Sequence, residues 1–279
     1  MADPGIPDPL LREAVAAIDA GDVAALDRLL VEHPELVRAR ADCGEGYFHR
    51  PYLLGFVAEN PIRNGTLPRN IAEVARTIVE AARRQGVESF REQIDSALGL
   101  VCSGRVAREC GVQSELIDVL CDAGADPDAG LAPALAHREL AAAEHLLARG
   151  ARMTLLAAVC TGRDAEVERL ANAAGAAERQ AALAGAALHG RARSLSTLID
   201  LGVEVSAYAP AGFHPHGTAL HHAVASGSLD AVQRLVAAGA DLERQDRVYH
   251  GTPLDWAVHL DRGEIAEYLR RQGGDRGPR

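Results

Sequence analysis

The sequence contains no lysine, and all 29 of its basic residues are arginine. This excludes a Schiff-base lysine, a lysine general base and the lysine of a phosphate-binding P-loop. Aromatic residues are also scarce, at 4% of the 279 residues. A core must therefore be built mainly from alanine, leucine and valine, and such small side chains suit closely packed helices better than a β-sandwich.

The net charge indicates which partners to expect, and the cysteines indicate the cellular compartment. The formal net charge is −10, which argues against nucleic acid or an anionic membrane as the main partner. The five cysteines are odd in number and no two are spaced C-x-x-C, which favours free thiols in a reducing cytoplasm. The N-terminus lacks the pattern of a signal peptide, and the apolar runs are too short to span a bilayer.

Two C-terminal segments repeat with an offset of 34 residues, the first starting at Thr218 and the second at Thr252. Each predicts a short helix, a turn, a second helix and a final glycine, Gly239 or Gly273, where a left-handed residue ends the helix. Similar glycine stops recur upstream at Gly124, Gly150, Gly175 and Gly202.

This spacing predicts an all-α chain of roughly seven stacked helix pairs. We expect one continuous solenoid over residues 1–272, with insertions at 61–69 and 85–99. Residues 273–279 are polar and contain glycine, which predicts a disordered tail.

The two repeated segments resemble ankyrin repeats, whose first helix starts with T-P-L-H-x-A. Here the matching stretches read T-A-L-H-H-A from Thr218 and T-P-L-D-W-A from Thr252, with Asp255 where the family has histidine. The resemblance is closest to irregular bacterial ankyrin proteins. It implies an ankyrin solenoid in which several units lack the β-hairpin finger, and it gives Thr218, His221 and Thr252 structural roles.

Aromatic and histidine residues cluster in two windows of the sequence, around residues 47–56 and 208–259. Ankyrin repeats usually bind through finger loops and the ends of inner helices on the concave side, so the resemblance implies a groove lined by these residues. We predict a protein- or peptide-binding module, although idle surface residues and, for Trp256, core packing remain alternatives. The candidate binding residues are Phe48, His49, Arg50, Glu59, Asn60, Phe213, His214, His216, Ser226, Tyr249, His250, Trp256 and His259.

Metal binding and catalysis are two alternative functions for these histidines. His221 and His222 are adjacent on a helix, so their side chains diverge by about 100°, and no cysteine lies near them. We predict no metal and no cofactor. No catalytic motif is present, but histidines near Asp255 leave open a small-molecule isomerase, cyclase or hydrolase that uses acid–base chemistry. The expected partner is an unidentified protein or peptide, or a small molecule in the groove.

Overall fold

The computed structural model describes residues 6–273, and every regular element in that range is helical. It contains sixteen α-helices, three short 3₁₀ helices and two isolated β-bridges, and the described residues form no strand. The chain divides into two compact units, unit 1 up to Arg152 and unit 2 from Met153. The all-α class expected from the sequence is confirmed.

Unit 1 contains four helix pairs. Its α-helices are α1 (Pro9–Ala20), α2 (Val23–Glu32), α3 (Ile71–Arg84), α4 (Phe90–Ser103), α5 (Arg105–Glu109), α6 (Gln113–Asp122), α7 (Pro127–Ala136) and α8 (Leu140–Ala148). Its 3₁₀ helices are Pro34–Val37, Gly46–Phe48 and Leu53–Ala58. Helix α1 pairs with α2, the third 3₁₀ helix with α3, α4 with α6, and α7 with α8.

Unit 2 contains four further pairs. They are α9 (Leu155–Thr161) with α10 (Asp164–Ala171), α11 (Ala176–Leu188) with α12 (Ala192–Asp200), α13 (Ala219–Ser226) with α14 (Leu229–Ala237), and α15 (Pro253–His259) with α16 (Gly263–Arg271). The first helices of successive pairs contact one another, and so do the second helices. This double row is the stacked arrangement that the repeat spacing predicts.

The extra, eighth pair comes from the segment 85–99, which the sequence analysis treated as an insertion. Most of that segment belongs to α4, which packs against α7. Its buried residues Ile94, Ala97, Leu98 and Val101 follow helical spacing. The segment lacks the threonine start of the C-terminal repeats, and this is why the repeat pattern did not reveal the helix.

Three loops project between helix pairs. Finger A (residues 40–52) is closed by the bridge between Arg40 and Tyr52, and finger B (residues 208–218) by the bridge between Tyr208 and Thr218. Finger C (residues 246–251) is closed by a hydrogen bond from the N–H of its first residue to the carbonyl of its last, at 2.9 Å. The other connections between pairs have only a few residues, so several units lack a finger, as expected.

Thr218 and Thr252 are the N-cap residues of α13 and α15, the structural roles that the resemblance implied. The backbone N–H of Thr218 donates to His221 Nδ1 at 3.2 Å, which leaves His221 Nε2 to donate to the carbonyl of Gly251 at 3.1 Å. Thr252 and Asp255 cap each other, since each backbone N–H donates to the other's side chain. His221 therefore ties the start of α13 to finger C.

Two further predictions concern the continuity of the solenoid and the C-terminal tail. A single continuous solenoid over 1–272 stays a prediction. In the tail, residues 274–279 lie outside the described residues, whereas Gly273 has φ +101°, the left-handed conformation expected of a helix stop. Within residues 6–273, none of the helices combines the length and apolarity that crossing a bilayer requires.

Candidate functional site

One candidate site is a cavity of about 730 Å³ in unit 2, beside finger C, α15 and the end of α13. We call it the finger C pocket. Four predicted site residues line it: Tyr249, His250, Trp256 and His259. Its remaining lining residues are Ala225, Gly251, Asp255 and Leu260. The pocket thus joins the tip of a finger to the ends of two inner helices, the register that the repeat pattern predicted.

The buried carboxylate of Asp246 organises finger C. Its Oδ1 accepts the backbone N–H groups of Val248 (2.8 Å) and Tyr249 (2.7 Å), and its Oδ2 accepts that of Gly251 (2.9 Å) and the indole N–H of Trp256 (3.0 Å). Burial would raise the pKa of this carboxyl, but the N–H donors outweigh it and hold the pKa well below its ordinary value. A single carboxylate therefore fixes both the loop and the indole.

Gly251 allows finger C to lie close to this carboxylate. A Cβ atom at this position would lie 3.3 Å from Asp246 Oδ2 and 3.3 Å from Trp256 Cδ1, tighter than an ordinary contact. The absence of a side chain thus permits the approach of backbone, carboxylate and indole.

Four histidines cluster next to the pocket, close to Trp256. They are His214, His216, His221 and His222. His216 stacks on the indole, with ring centroids 5.9 Å apart and an interplanar angle of 28°, and His221 meets its edge at 5.1 Å. The rings of His214, His216 and His222 lie 5.8–6.0 Å from one another. Neither His214 nor His216 lines the pocket: His216 supports Trp256 from outside it, and His214 packs against His216 and His222.

Burial lowers the pKa of three of these histidines. For His222 it falls to about 3, first through desolvation and then through the neighbouring histidines, and its Nε2 is buried without a hydrogen-bond partner. Desolvation also lowers the pKa values of His216 and His221. These three histidines are therefore neutral at pH 7. Within the described part of the chain, no group of three or more histidine, cysteine or carboxylate side chains could hold a metal ion.

The rim of the finger C pocket carries side chains that no other described residue engages. Tyr249 is 78% exposed, and its hydroxyl makes no hydrogen bond to the described protein. The imidazoles of His250 and His259 are likewise exposed and unbonded within residues 6–273. Polar groups that do not serve the fold are available for a ligand.

The pocket does not contain an acid–base pair. Oδ2 of Asp255 is used by the Thr252 cap, and among the described residues no hydrogen bond joins Asp255 to His250 or His259. The pocket is also lined by exposed side chains. Nothing in this geometry favours the enzymatic alternative.

Two other candidates in unit 2 have structural contacts within the protein. Phe213 is 3% exposed, so its ring packs inside the protein instead of on the surface of finger B. The hydroxyl of Ser226 donates to the carbonyl of Ala223 at 2.7 Å and accepts the N–H of Ser228 at 3.1 Å, which closes the end of α13. Both residues serve the fold at this point.

Three of the predicted residues in unit 1 line a smaller cavity of about 100 Å³. His49 and Arg50 line it and are exposed, whereas Phe48 also lines it but is buried against Phe56. Tyr47 donates its hydroxyl to Asn60 Oδ1 at 2.9 Å, so finger A does reach the end of its inner helix.

Glu59 is buried and cannot contact a partner. Its carboxylate accepts backbone N–H groups of the following loop and pairs with Arg63 at 3.0 Å, and Arg63 also pairs with Asp19 at 2.7 Å. This network positions the loop after the 3₁₀ helix. The sequence analysis took Glu59 as a binding residue because the repeat register places it at the end of an inner helix.

Asp246 is the functional residue that the sequence analysis missed. It precedes the conspicuous tyrosine, histidine and tryptophan, and it does not itself line the pocket. The available signal was an aspartate at the start of a loop that ends in Gly251, since aspartate side chains often accept backbone N–H groups within turns.

Comparison with known proteins finds a family match over the part of unit 2 that contains the finger C pocket. The family model described as ankyrin repeats (3 copies) matches residues 209–276. Protein phosphatase 1 regulatory subunit 27 of Homo sapiens is 45% identical over 67 residues, which are 24% of this chain and 43% of that protein. Ankyrin repeat domain-containing protein 40 of Mus musculus is 39% identical over 57 residues, which are 20% of this chain and 16% of that protein. The chain therefore spans less than half the length of either relative.

Proposed function

The chain carries ankyrin repeats over residues 209–276, and from this premise we propose that it is a protein-interaction module. In this proposal, the finger C pocket binds an extended segment of a partner protein. The contact residues are Tyr249, His250, Trp256 and His259, with Leu260 at the edge. His49 and Arg50 on finger A are the candidate contact residues of unit 1.

The observation that carries the proposal is a contrast within finger C. Its backbone and Trp256 are held by Asp246, whereas the side chains of Tyr249 and His250 are exposed and unengaged by other described residues. A rigid loop that presents free aromatic and polar groups loses little entropy when it binds. Tyrosine and tryptophan are also the residue types that dominate the binding energy of protein interfaces.

Two further facts support a protein as the partner. One relative is named a regulatory subunit of protein phosphatase 1, and a subunit acts in association with another protein. The pocket is open and lies between two repeats. Many ankyrin arrays bind proteins on one fold, so the fold alone does not select the partner. The five cysteines, none of them in a disulfide among the described residues, and the irregular repeats support a bacterial, cytoplasmic protein.

Selection from a peptide display library on the full chain tests this function. We expect enriched peptides that bind the wild-type chain and lose at least about 10-fold in affinity on Tyr249→Ala, because an aromatic anchor at an interface contributes over 1 kcal/mol.

Tyr47→Ala is the matched control, since Tyr47 is 72% exposed on finger A. If Tyr47→Ala weakens the peptides as much as Tyr249→Ala does, the finger C pocket is not the principal site. If selection yields no peptide that distinguishes either variant from the wild type, the proposed function is wrong.

A further inference from the structure

The chemistry of the finger C pocket indicates which side chain it accepts, an inference that rests on the proposed function. We infer that the partner segment inserts an arginine, whose guanidinium lies against the aromatic rings and pairs with Asp255. The partner is accordingly a basic segment of a protein.

The lining is aromatic and contains a carboxylate but, among the described residues, no arginine. Tyr249 and Trp256 contribute two aromatic rings, and Asp255 is the single carboxylate of the lining. Asp255 uses Oδ2 for the Thr252 cap, and its Oδ1 makes no hydrogen bond within the described residues. No arginine among residues 6–273 lines the pocket. A cation is attracted both to the ring faces and to the free carboxylate oxygen.

A second carboxylate lies at the edge of the indole. Asp246 accepts the N–H of Trp256 at 3.0 Å and is 1% exposed, so its charge is poorly screened by water. His216 stacks on the indole and keeps it in place. The tryptophan is thus fixed, supported and adjacent to negative charge before any ligand arrives.

In unit 1, an aromatic ring and a carboxylate together bind one of the protein's own arginines. The guanidinium of Arg40 lies 4.0 Å from the centre of the Tyr52 ring and pairs with Glu92 at 2.5 Å. In unit 2, Arg247 lies 3.9 Å from the centre of the Tyr208 ring. The finger C pocket offers aromatic rings and a carboxylate in the same way, but without an arginine of its own.

Arginine fits these groups better than lysine or an apolar side chain does. A planar guanidinium stacks on a ring and pairs with a carboxylate at the same time, whereas an ammonium group is compact and strongly hydrated. An apolar side chain would cover Asp255 Oδ1 without providing a hydrogen bond, and a desolvated, unpaired carboxylate is costly.

Intrinsic fluorescence gives a direct test, because Trp256 is the single tryptophan of the chain. The full chain is titrated with acetyl-Ala-Xaa-Ala-amide, where Xaa is arginine, lysine, citrulline or norleucine. Citrulline keeps the shape of arginine without its charge. We expect the arginine peptide to bind at least about 10-fold more tightly than the citrulline peptide, and more tightly than the other two.

A matched pair of variants distinguishes the effect of the Asp255 charge in the pocket from the effect of the net charge of the chain. Asp255→Asn retains an acceptor for the cap, and Asp241→Asn removes the same charge from an exposed position outside the pocket. We expect Asp255→Asn to weaken the arginine peptide about 5- to 10-fold and Asp241→Asn to leave it nearly unchanged. Equal losses in the two variants would overturn the inference.

Two other results would also overturn it, and they bear differently on the proposed function. If norleucine binds as tightly as arginine, the arginine inference fails while peptide binding at the pocket stands. If none of the four peptides changes the Trp256 fluorescence, arginine recognition is absent, and the display selection alone then decides the proposed function.

Discussion

At the scale of single residues, one carboxylate determines the shape of the candidate site. Asp246 accepts four N–H groups, and three of these belong to the backbone of its own loop. The fourth belongs to Trp256 on the following helix, so the loop and the helix share one acceptor. The exposed side chains of finger C can then vary without loss of the loop, since none of them holds it together.

Asp246→Asn tests this role. Asparagine presents one acceptor oxygen and one NH₂ group, so at least one pair of donors loses its partner, and a buried unsatisfied group costs about 1–3 kcal/mol. We expect a loss of that size in urea unfolding, together with a red shift of the Trp256 emission. Asp241→Asn is the control, and an equal effect on the emission would show that Asp246 does not hold the indole.

At the scale of secondary-structure elements, close approach between helices depends on small residues. Gly130 in α7 is the clearest case in unit 1. A Cβ there would lie 2.9 Å from Cys102 Sγ, 3.0 Å from Leu98 Cγ and 3.1 Å from Leu146 Cδ1. Helix α7 contacts α4 and α8 through this point, so the glycine sets the spacing of three helices.

Gly130→Ala is expected to destabilise the protein. Overpacking costs about 1–3 kcal/mol, and the better helix propensity of alanine recovers only about 0.5–1 kcal/mol. Gly99→Ala in α4 is the matched control, because its Cβ would meet only Ala129 O at 3.6 Å and Pro133 Cγ at 3.7 Å. Urea unfolding should rank Gly99→Ala at or above the wild type and Gly130→Ala below it; the reverse order would contradict this packing.

The sequence predicted those elements that carry a start and a stop signal. Helices α13 to α16 follow from Thr218, Thr252 and their glycine stops, and the same register placed Tyr249 and Trp256 beside one pocket. Helix α4 carries no such start and was missed.

Side-chain direction in irregular loops was the other failure of prediction. Phe213 and Glu59 lie where the repeat register places surface residues, yet both are buried. Finger loops have no fixed periodicity, so a residue's position does not determine whether it faces solvent. Asp246 was missed for a related reason, because three of its four donors are backbone N–H groups and only its place at the start of the loop could have indicated its role.

At the scale of the whole molecule, the depressed histidine pKa values predict a loss of stability in acid. His216, His221 and His222 have lower pKa values in the folded state than the ordinary value of 6.5. The unfolded chain therefore binds more protons as the pH falls below about 6.5, and the free energy of unfolding decreases in that direction. Asp246, also depressed, extends the loss below its ordinary value of 3.8.

Urea midpoints between pH 7.5 and 5 check this prediction. We expect a decrease in the wild type and a smaller decrease in His222→Leu, which removes the most buried of these histidines. His259→Leu is the control, because His259 is exposed on the pocket rim. A midpoint that stays constant down to pH 5, or the same slope in all three proteins, would contradict the assignment of the acid sensitivity to this cluster.

The central claim is that a partner segment lies against finger C. The most direct measurement places a photo-crosslinking amino acid, p-benzoylphenylalanine, at Tyr249 or at Tyr47 and irradiates each protein with a display-selected peptide. The account predicts a covalent adduct from position 249 that an excess of unlabelled peptide suppresses. Adducts of equal yield from both positions, or from position 47 alone, would contradict it.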